Sequence, residues 1–489
     1  MDRRGHDQRG VRDRDAAGRM IGTLRERAWP ADRAATVLLL AAILATWLPS
    51  LGASFQFDDW NVIVRDPRVQ SLAAWLAGMP GIRPLLKLSY ALNHESGAGV
   101  AAFRLVNVAV HALNSVLVLC LLRALGRHLA LPPSTTAFAA LCAAAAFALH
   151  PVQTEAVTYV SGRSSSLSAA FALLALLSWL RGLGGPDERR WRVWSCVLFA
   201  LALGVKEPVA VLPGVMAAWL WITGEARTIP RRIAPHLLLL LAGAALLLAW
   251  PPYRAVLEGS LDARSIGSNL LTQVNAVSWL IGQLVRFDRL NADPALATVT
   301  TIDGPLVLRA LLLLGSVGGA LALRRRFPAG AFAIAWFFLW LLPTNSLLPR
   351  LDVVNERQLY LALVGPAWML GLGLARIPSA LAHWRWIALA ALILTLAAAT
   401  LARNRVYADE IVFWQDVTRK APHNARAANN LGYAYALTCR DADALAEFER
   451  AIGLDPQDYR APINLQLLSE GRLFADNQRQ CPTAQTATR

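Results

Sequence analysis

Two adjacent carboxylates, Asp58 and Asp59, follow the first long apolar stretch of the chain, in the segment Phe57-Asp58-Asp59-Trp60. A carboxylate within hydrogen-bond reach of a hydroxyl can take its proton while the hydroxyl attacks an activated carbon atom. Aspartate also caps helix N-termini and Trp60 suits a lipid boundary, so a structural role is equally compatible with this segment. The choice between the two roles depends on the other polar residues of the chain.

Four basic residues near the ends of other apolar stretches are candidates for meeting a phosphate: Arg83, Arg163, Lys206 and Arg357. A departing phosphate needs positive charge and hydrogen-bond donors where its own charge develops. Three further polar residues accompany these cations: His150, Glu155 and Glu207. The simpler explanation for each is an ion pair, such as Glu155 with Arg163 in a solvated loop, or an anchor at the membrane interface. Both explanations stay open at the level of local sequence.

The second apolar stretch carries a polar stripe. It consists of Arg104, Asn107, His111 and Asn114, at spacings that place all four on one face of a helix. Polar side chains in a membrane helix are costly in lipid and therefore face protein or a water-filled cavity. We favour a role in helix packing over direct chemistry for Asn107 and His111.

The composition indicates an all-α protein that crosses a membrane many times. Of the 489 residues 55% are hydrophobic, and the mean hydropathy is +0.40, which lies outside the range of soluble globular proteins. The first stretch, 34–51, has no charged residue and approaches the roughly 20 residues that a membrane-spanning helix needs. Similar runs recur almost to Leu401.

About eleven membrane crossings are predicted: 34–51, 103–122, 137–149, 167–180, 193–205, 209–222, 236–250, 305–323, 327–342, 358–374 and 386–401. Basic linkers favour the cytoplasmic side, and alternate crossings from a cytoplasmic N-terminus place them all there. As a further full crossing, the apolar piece 274–285 would move the basic linker 324–326 outside, so we interpret that piece as re-entrant or interfacial. The predicted external segments are 52–102, 150–166, 251–304 and 343–357.

These crossings divide the chain into three parts. Residues 1–33 hold nine arginines against six acids and are predicted to form a cytoplasmic basic tail. Residues 34–402 form the membrane domain, and residues 403–489 form a polar module on the external side.

The net charge of +15 is explained by basic linkers and not by nucleic-acid binding, since the basic residues concentrate between apolar runs. Three of the five cysteines lie inside apolar runs, and no spacing suits a metal site. Cys439 and Cys481 are the one pair expected to form a disulfide.

The C-terminal module matches the tetratricopeptide pattern over one complete repeat, about 425–458. The matching residues are Leu431, Gly432, Tyr435, Ala444, Phe448, Ala451 and Pro456. Incomplete helices are predicted on both sides of this repeat. Because one repeat cannot bury its own apolar face well, we expect the module to pack on the membrane domain or on a partner chain. Acceptor docking and a structural cap are equally compatible with it.

Taken in order along the chain, these motifs resemble the transmembrane and tetratricopeptide-repeat O-mannosyltransferases, within the C-type polyprenyl-phosphate-sugar glycosyltransferases. The resemblance rests on Phe57-Asp58-Asp59, Arg83-Pro84-Leu85, Asn107 with His111, 150–157, Ser161-Gly162-Arg163, Lys206-Glu207, and Glu356-Arg357 with Tyr360. It covers nearly the whole chain.

The resemblance implies inverting sugar transfer from a lipid-phosphate donor to a hydroxyl of a protein or glycan outside the membrane, with neither a cofactor nor an obligatory metal. Asp58 or Asp59 would be the base. Arg163 would be the first choice for the phosphate contact, ahead of Lys206, Arg83 and Arg357. Glu155 and His150 would orient the sugar or the cations.

The short repeat region departs from the long arrays of that family and suggests a bacterial relative. The external side would then be the periplasm and the carrier undecaprenyl phosphate; mannose follows from the family name alone. The alternative function is a non-enzymatic membrane scaffold that recruits a protein partner through its repeat. A transporter is less favoured, since no inverted repeat is evident.

Overall fold

All regular secondary structure is helical in residues 30–474, 479 and 481, which are the residues that the computed structural model of the protein describes. This confirms the all-α prediction. The predicted basic tail lies outside these residues, except that its last four begin the first helix. The chain divides into two compact units, one up to Ala42 and one from Ile43 onward. The second unit contains every residue discussed below.

The α-helices are α1 Pro30–Trp47, α2 Leu72–Ala77, α3 Pro84–Glu95, α4 Val100–His128, α5 Pro133–Leu149, α6 Thr154–Val157, α7 Arg163–Gly182, α8 Glu188–Val205, α9 Leu212–Ile222, α10 Ile229–Ala249, α11 Pro251–Asp262, α12 Ile266–Gln283, α13 Gly304–Leu323, α14 Pro328–Leu341, α15 Leu359–Ala362, α16 Val364–Ala375, α17 Ala382–Val406, α18 Glu410–Lys420, α19 Ala425–Leu437, α20 Asp441–Leu454 and α21 Arg460–Ser469. Short 3-10 or π turns connect several of them; those near the site are Trp60–Val64, Pro151–Gln153, Val160–Gly162, Glu207–Val211 and Glu356–Gln358.

Each of the eleven predicted crossings overlaps one of these helices. Within the described residues, six helices are long and apolar enough to span a membrane, and two bent helix pairs would raise the number to eight. Two shorter apolar helices include α9 and α14. The count of eleven therefore stays a prediction. So does the re-entrant interpretation of 274–285, which lies in α12.

The bent pairs matter because each bend carries polar residues. Helix α5 and the segment Pro151–Val157 meet at 49°, and the segment Glu356–Ala362 meets α16 at 52°. The first bend follows His150-Pro151, since proline cannot continue the hydrogen-bond pattern of a helix. These breaks place His150, Glu155 and Arg357 at helix ends rather than on lipid-facing surfaces.

Small residues allow the apolar helices to approach closely. A Cβ atom added to Gly371 of α16 would collide with the backbone carbonyl of Ala139 in α5, and one added to Gly365 would collide with that of Ala333 in α14. Close backbone approach through small residues is typical of helix packing in membranes. The position of α16, and with it the bend that carries Arg357, depends on these contacts.

The C-terminal module consists of α18 to α21. Its predicted repeat corresponds to α19 and α20, in which Phe448 is fully buried and fills the space beside Gly432. The module packs on the membrane domain through an apolar cluster that includes Tyr159, Tyr407 and Trp414. Of the two arrangements expected from the sequence, the structure therefore has the module packed on the membrane domain. The assignment of the module to the tetratricopeptide class stays a prediction.

The C-terminal segment is tied to this module. The disulfide expected between Cys439 and Cys481 is present, which confirms that prediction. Arg479 also donates hydrogen bonds to the Ala436 carbonyl and the Asp441 carboxylate.

We expect Gly371→Ala to destabilise the protein by about 1–3 kcal/mol, because the added methyl group overpacks the contact between α5 and α16. Gly373→Ala on the same helix is the matched control, since a Cβ atom there meets nothing within 4 Å. Thermal unfolding of the purified protein in detergent measures the difference. Equal stability of the two variants would contradict the close packing described above.

Candidate active site

The segment His150–Ser166 is buried almost throughout, although it contains two short turns and several polar residues. Buried backbone groups need hydrogen-bond partners, and the polar stripe of α4 supplies them. Arg104 donates to the Thr158 carbonyl, Asn107 to the Val157 carbonyl (3.1 Å) and Asn114 to the Ser166 carbonyl (2.7 Å). His111 bonds the Ala148 carbonyl and the Tyr360 hydroxyl. The stripe acts in packing, as we favoured for Asn107 and His111.

Arg163 belongs to the same scaffold and not to a phosphate site. Its three nitrogens donate to the Asn107 side chain and to the Ser89 and Phe103 carbonyls at 2.7–3.0 Å, and its guanidinium lies over the Tyr90 ring. It is fully buried. The expectation that it ranks first for phosphate does not fit this geometry, because its donors already have protein partners. The simple alternative, an ion pair of Glu155 with Arg163 in a solvated loop, does not occur either.

His150 is also used within the protein. Its Nδ1 accepts from the Val152 amide and its Nε2 contacts the Leu284 carbonyl at 3.1 Å. The ring therefore fixes the start of the buried loop against the end of α12. It does not line the outer, middle or inner cavity described below.

The two aspartates have different surroundings. Asp59 is fully buried, and its carboxylate accepts from the amides of Gln56 (3.1 Å) and Ser161 (2.7 Å). It thus ties the loop after α1 to the buried loop. Asp58 is only partly buried; its amide donates to the Tyr159 hydroxyl at 3.0 Å, and its side chain lines a large cavity.

Burial raises the pKa of both carboxyl groups. For Asp58 the cations Arg357 and Arg426 and a hydrogen bond with Tyr159 oppose this rise, whereas Asp352 adds to it. For Asp59 the pKa rises to about 6 in spite of its two backbone hydrogen bonds. A carboxylate with a raised pKa and access to a cavity has the properties of a general base. Asp58 has both properties, whereas the buried Asp59 does not line the cavity.

A group of cations lies beside the bend at Glu356–Gln358. Glu155 holds Arg357 in place: one carboxylate oxygen accepts from the Arg357 amide at 3.0 Å, and the other lies 3.5 Å from its Nε. Arg83 forms a bidentate ion pair with Glu207, with distances of 2.8–3.2 Å between guanidinium nitrogens and carboxylate oxygens. These two pairs bring together four of the predicted site residues, from segments that are far apart in the chain.

Two further cations in this group have no ion-pair partner within the described part of the chain: Lys206, which donates to the Ser165 hydroxyl at 2.7 Å, and Arg350. Burial lowers the pKa of both and the surrounding arginines lower it further, to about 10 for Arg350, although Glu207 opposes the fall for both and Asp352 opposes it for Arg350. Several positive charges close together in a partly buried position, with fewer carboxylates than cations in direct contact, favour the binding of an anion. The geometry therefore suits a phosphate.

Arg350 is not among the site residues that the sequence analysis predicts. Its sequence signal was only that of one basic residue near Asp352 and Arg357 in a predicted external segment. Nothing local distinguishes it from the exposed arginines of other linkers.

Three neighbouring cavities lie along the region from Asp58 to these cations. The outer cavity, about 590 Å³, has Asp58, Trp60 and Arg426 in its wall. The inner cavity, about 60 Å³, has Lys206, Arg350 and Arg357 in its wall. A narrow middle cavity shares Phe57 and Arg426 with the outer one, and Asn355 and Arg357 with the inner one. Asp58 and the cations thus line the two ends of a row of three neighbouring cavities, called the path below.

The C-terminal module forms part of this path. Glu410, at the start of α18, accepts from the Trp60 indole at 3.0 Å and from the Phe57 amide at 3.4 Å; burial raises its pKa to about 7, although these bonds oppose the rise. Arg426 pairs with Asp293 and Asp352. The module therefore holds the loop that carries Asp58.

A second ion-pair group links the module to the bend that carries Arg357. Arg403, at the end of α17, lies between Glu356 (3.6 Å) and Asp416 of α18 (2.8 Å), and all three are buried. Within the described residues, no group of three or more histidine, cysteine or acidic side chains is arranged to hold a metal ion.

Comparisons with known proteins find relatives of this chain among the protein O-mannosyl-transferases. The chain is 26% identical over 495 residues to protein O-mannosyl-transferase TMTC3 of Mus musculus, covering 88% of this chain and 52% of that protein. It is 31% identical over 207 residues to Tmtc2 of Drosophila melanogaster, covering 38% and 21%. The resemblance predicted from the motifs is confirmed: the chain has homologues among these transferases.

The chain spans about half the length of the curated relatives that it matches over most of its own length. No protein-family model matches it. Among solved structures, ArnT from Cupriavidus metallidurans bound to undecaprenyl phosphate is loosely similar, with a TM-score of 0.39, 17% identity and coverage of 89% of this chain and 77% of that one.

We expect Asp59→Asn to destabilise the protein and Asp58→Asn to leave its stability nearly unchanged. The asparagine amide group at position 59 would point a donor at one of two buried backbone donors, which costs about 1–3 kcal/mol. No backbone amide of the described residues donates to the side-chain carboxylate of Asp58. Thermal unfolding of both purified variants tests this, and an equal loss in both would contradict the separate roles.

Proposed function

We propose that the protein is a membrane glycosyltransferase of the C-type. It transfers a sugar from a polyprenyl-phosphate donor to a hydroxyl group of an acceptor on the external face of the membrane. The observation that carries this proposal is the pair of partly buried cations, Lys206 and Arg350, which have no ion-pair partner among the described residues and lie at the other end of the path from the carboxylate of Asp58. Mannose as the sugar and a protein as the acceptor are supported by the names of the relatives.

The inner cavity is the proposed site of the donor phosphate. Lys206 and Arg350 supply positive charge without a carboxylate partner, and Arg357, oriented by Glu155, completes the group. Arg83 is a weaker candidate for binding the phosphate, because it already forms an ion pair with Glu207. Hydrogen bonds from cations to a phosphate are stronger than neutral ones and are most effective in a buried site.

In the proposed reaction, the acceptor oxygen attacks the anomeric carbon of the sugar, and the bond from that carbon to the phosphate oxygen breaks. The hydroxyl proton passes to the Asp58 carboxylate. The polyprenyl phosphate departs with the bonding electron pair, and the cations of the inner cavity stabilise its additional charge. Attack from the side opposite the phosphate inverts the configuration of the sugar, in keeping with base and cations at opposite ends of the path.

Location of the site on the external side, the periplasm in a bacterium, is supported by the disulfide between Cys439 and Cys481. Disulfides persist in oxidising compartments and are rare in the cytosol. The C-terminal module, to which this disulfide is attached through Cys439, also forms a wall of the outer cavity. The module and the site therefore lie on the same side of the membrane.

Asp58→Asn should abolish sugar transfer, with a decrease of at least about 100-fold, because removal of a general base has effects of this size. Donor binding should persist, since the cations are unchanged. The measurement uses full-length protein in lipid nanodiscs with polyprenyl-phosphate mannose and a threonine-containing peptide, followed by mass spectrometry. Transfer at the wild-type rate would eliminate Asp58 as base. Loss of cellular function on deletion of the module, with Asp58→Asn fully functional, would instead favour the scaffold.

The pH dependence of kcat/KM for the donor should be bell-shaped. Transfer rises with pH as Asp58 loses its proton, with a midpoint above the ordinary aspartate value of 3.8 because its pKa is raised. Transfer falls as Lys206 loses its charge, with a midpoint below the ordinary lysine value of 10.5 because its pKa is lowered. Lys206→Arg should move the falling limb to higher pH, since arginine stays charged. An unchanged falling limb in this variant would remove Lys206 from the donor site.

A further inference from the structure

We propose that the outer cavity binds the acceptor as an extended polypeptide segment, whose main chain is held by Asn430 and Asn464 so that one hydroxyl side chain reaches Asp58. This inference rests on the proposed function and specifies the acceptor and the residues that recognise it. The repeat module would then be part of the acceptor site, and not a cap.

The outer cavity has two unlike walls. The loop that begins at Phe57 forms one wall and places Asp58 in it, next to Phe57, which also lines the middle cavity. Helices α19 and α21 form the other wall, with Asn429, Asn430 and Asn464 facing the cavity. At about 590 Å³ the cavity falls within the usual range for ligand sites of roughly 300–1,000 Å³. Its size and its contact with Asp58 fit an acceptor and not the donor phosphate.

The three asparagines of this wall bond to one another in a way that leaves one hydrogen-bond donor and one acceptor free for a ligand. Asn429 is buried and serves the other two: its Oδ1 accepts from the Asn464 amide group at 2.9 Å, and its Nδ2 donates to the Asn430 Oδ1 at 3.4 Å. No described residue bonds to the Asn430 Nδ2 or to the Asn464 Oδ1. A peptide unit offers one carbonyl acceptor and one N–H donor. The two free groups suit a peptide unit in both respects.

The shape of the wall favours an extended chain over a single sugar. Four cavity residues of α19 lie along one face at spacings of four, three and four: Arg426, Asn430, Tyr433 and Leu437. This stripe is about 16 Å long at 1.5 Å per helical residue. It would accompany about five residues of an extended chain at roughly 3.3 Å per residue. Recognition through the main chain would tolerate different side chains around the modified hydroxyl.

Aromatic side chains complete the cavity. Tyr433 and Phe474 contact each other with ring centroids 4.9 Å apart, and Trp60 stands in the opposite wall. Such rings contact aliphatic and polar side chains alike. Arg426, the cation nearest the asparagines on α19, already pairs with Asp293 and Asp352. Arg460 of α21 pairs with Asp458, and Arg65 lies over the Trp60 ring. The amide groups of Asn430 and Asn464 are therefore the groups of the module wall that we assign to the peptide main chain.

The test uses full-length protein in nanodiscs with polyprenyl-phosphate mannose and three acceptors. These are a nine-residue peptide with one central threonine, the same peptide with single backbone N-methyl groups at successive positions, and threonine blocked at both ends. Asn430→Ala and Asn464→Ala should each raise KM for the long peptide about five- to tenfold, the effect of one hydrogen bond. KM for the donor and for blocked threonine should not change. Gln466→Ala, an exposed amide on α21 outside the cavity, is the matched control.

The N-methyl series identifies the contact itself. One N-methyl position should weaken the peptide as much as Asn464→Ala does, and the two changes together should cost no more than either alone. Additive losses at every position would overturn the contact. An oligosaccharide acceptor whose KM rises in the asparagine variants, while that of the peptide does not, would show a glycan site instead.

A binding measurement separates this inference from the proposed function. Fluorescence anisotropy of the labelled long peptide, without donor, should show about five- to tenfold weaker binding to Asn430→Ala and Asn464→Ala than to wild type and Gln466→Ala. If wild type binds in this way but transfers no sugar, the peptide site stands and the proposed reaction fails. If wild type transfers sugar while both variants keep the wild-type KM and binding, the reaction stands and the peptide site fails.

Discussion

The candidate site depends on the hydrogen bonds that allow the loop His150–Ser166 to be buried. Each side chain of the α4 stripe satisfies backbone groups of this loop or of its neighbours. Once buried, the loop contacts three residues of the site: the Tyr159 hydroxyl accepts from the Asp58 amide, Glu155 orients Arg357, and Ser165 accepts from Lys206. Loss of the α4 donors would leave buried carbonyls without partners and remove the common support of base and cations.

The second constraint is an imbalance of charge. Carboxylates accompany Arg83 and Arg357, but none pairs with Lys206 or Arg350 within the described residues. A folded protein tolerates such an imbalance when the energy is recovered on binding an anion, and binding sites commonly carry it for this reason. The same groups would then bind the departing phosphate more tightly than the intact donor, because more charge develops there during the reaction.

The C-terminal module contributes a wall of the outer cavity in addition to its packing role. Glu410 holds the loop that carries Asp58, and Arg403 connects α18 with the bend that carries Arg357. Changes in the module would therefore alter both ends of the path. This arrangement accounts for an expected dependence of catalysis on a region that, by sequence, resembles a separate interaction domain.

The sequence by itself determined the all-helical class, the positions of the apolar helices, the helical module, the disulfide pair and most of the polar residues near the path, since apolar runs and repeat patterns are local properties. Only the tertiary structure decided their roles. It placed Arg163 in the scaffold, paired Glu155 with Arg357, separated the partly buried Asp58 from the fully buried Asp59, and added Arg350 to the cations. The physical reason is that the role of an ionisable group depends on its burial and its partners, and those partners come from segments distant in the chain.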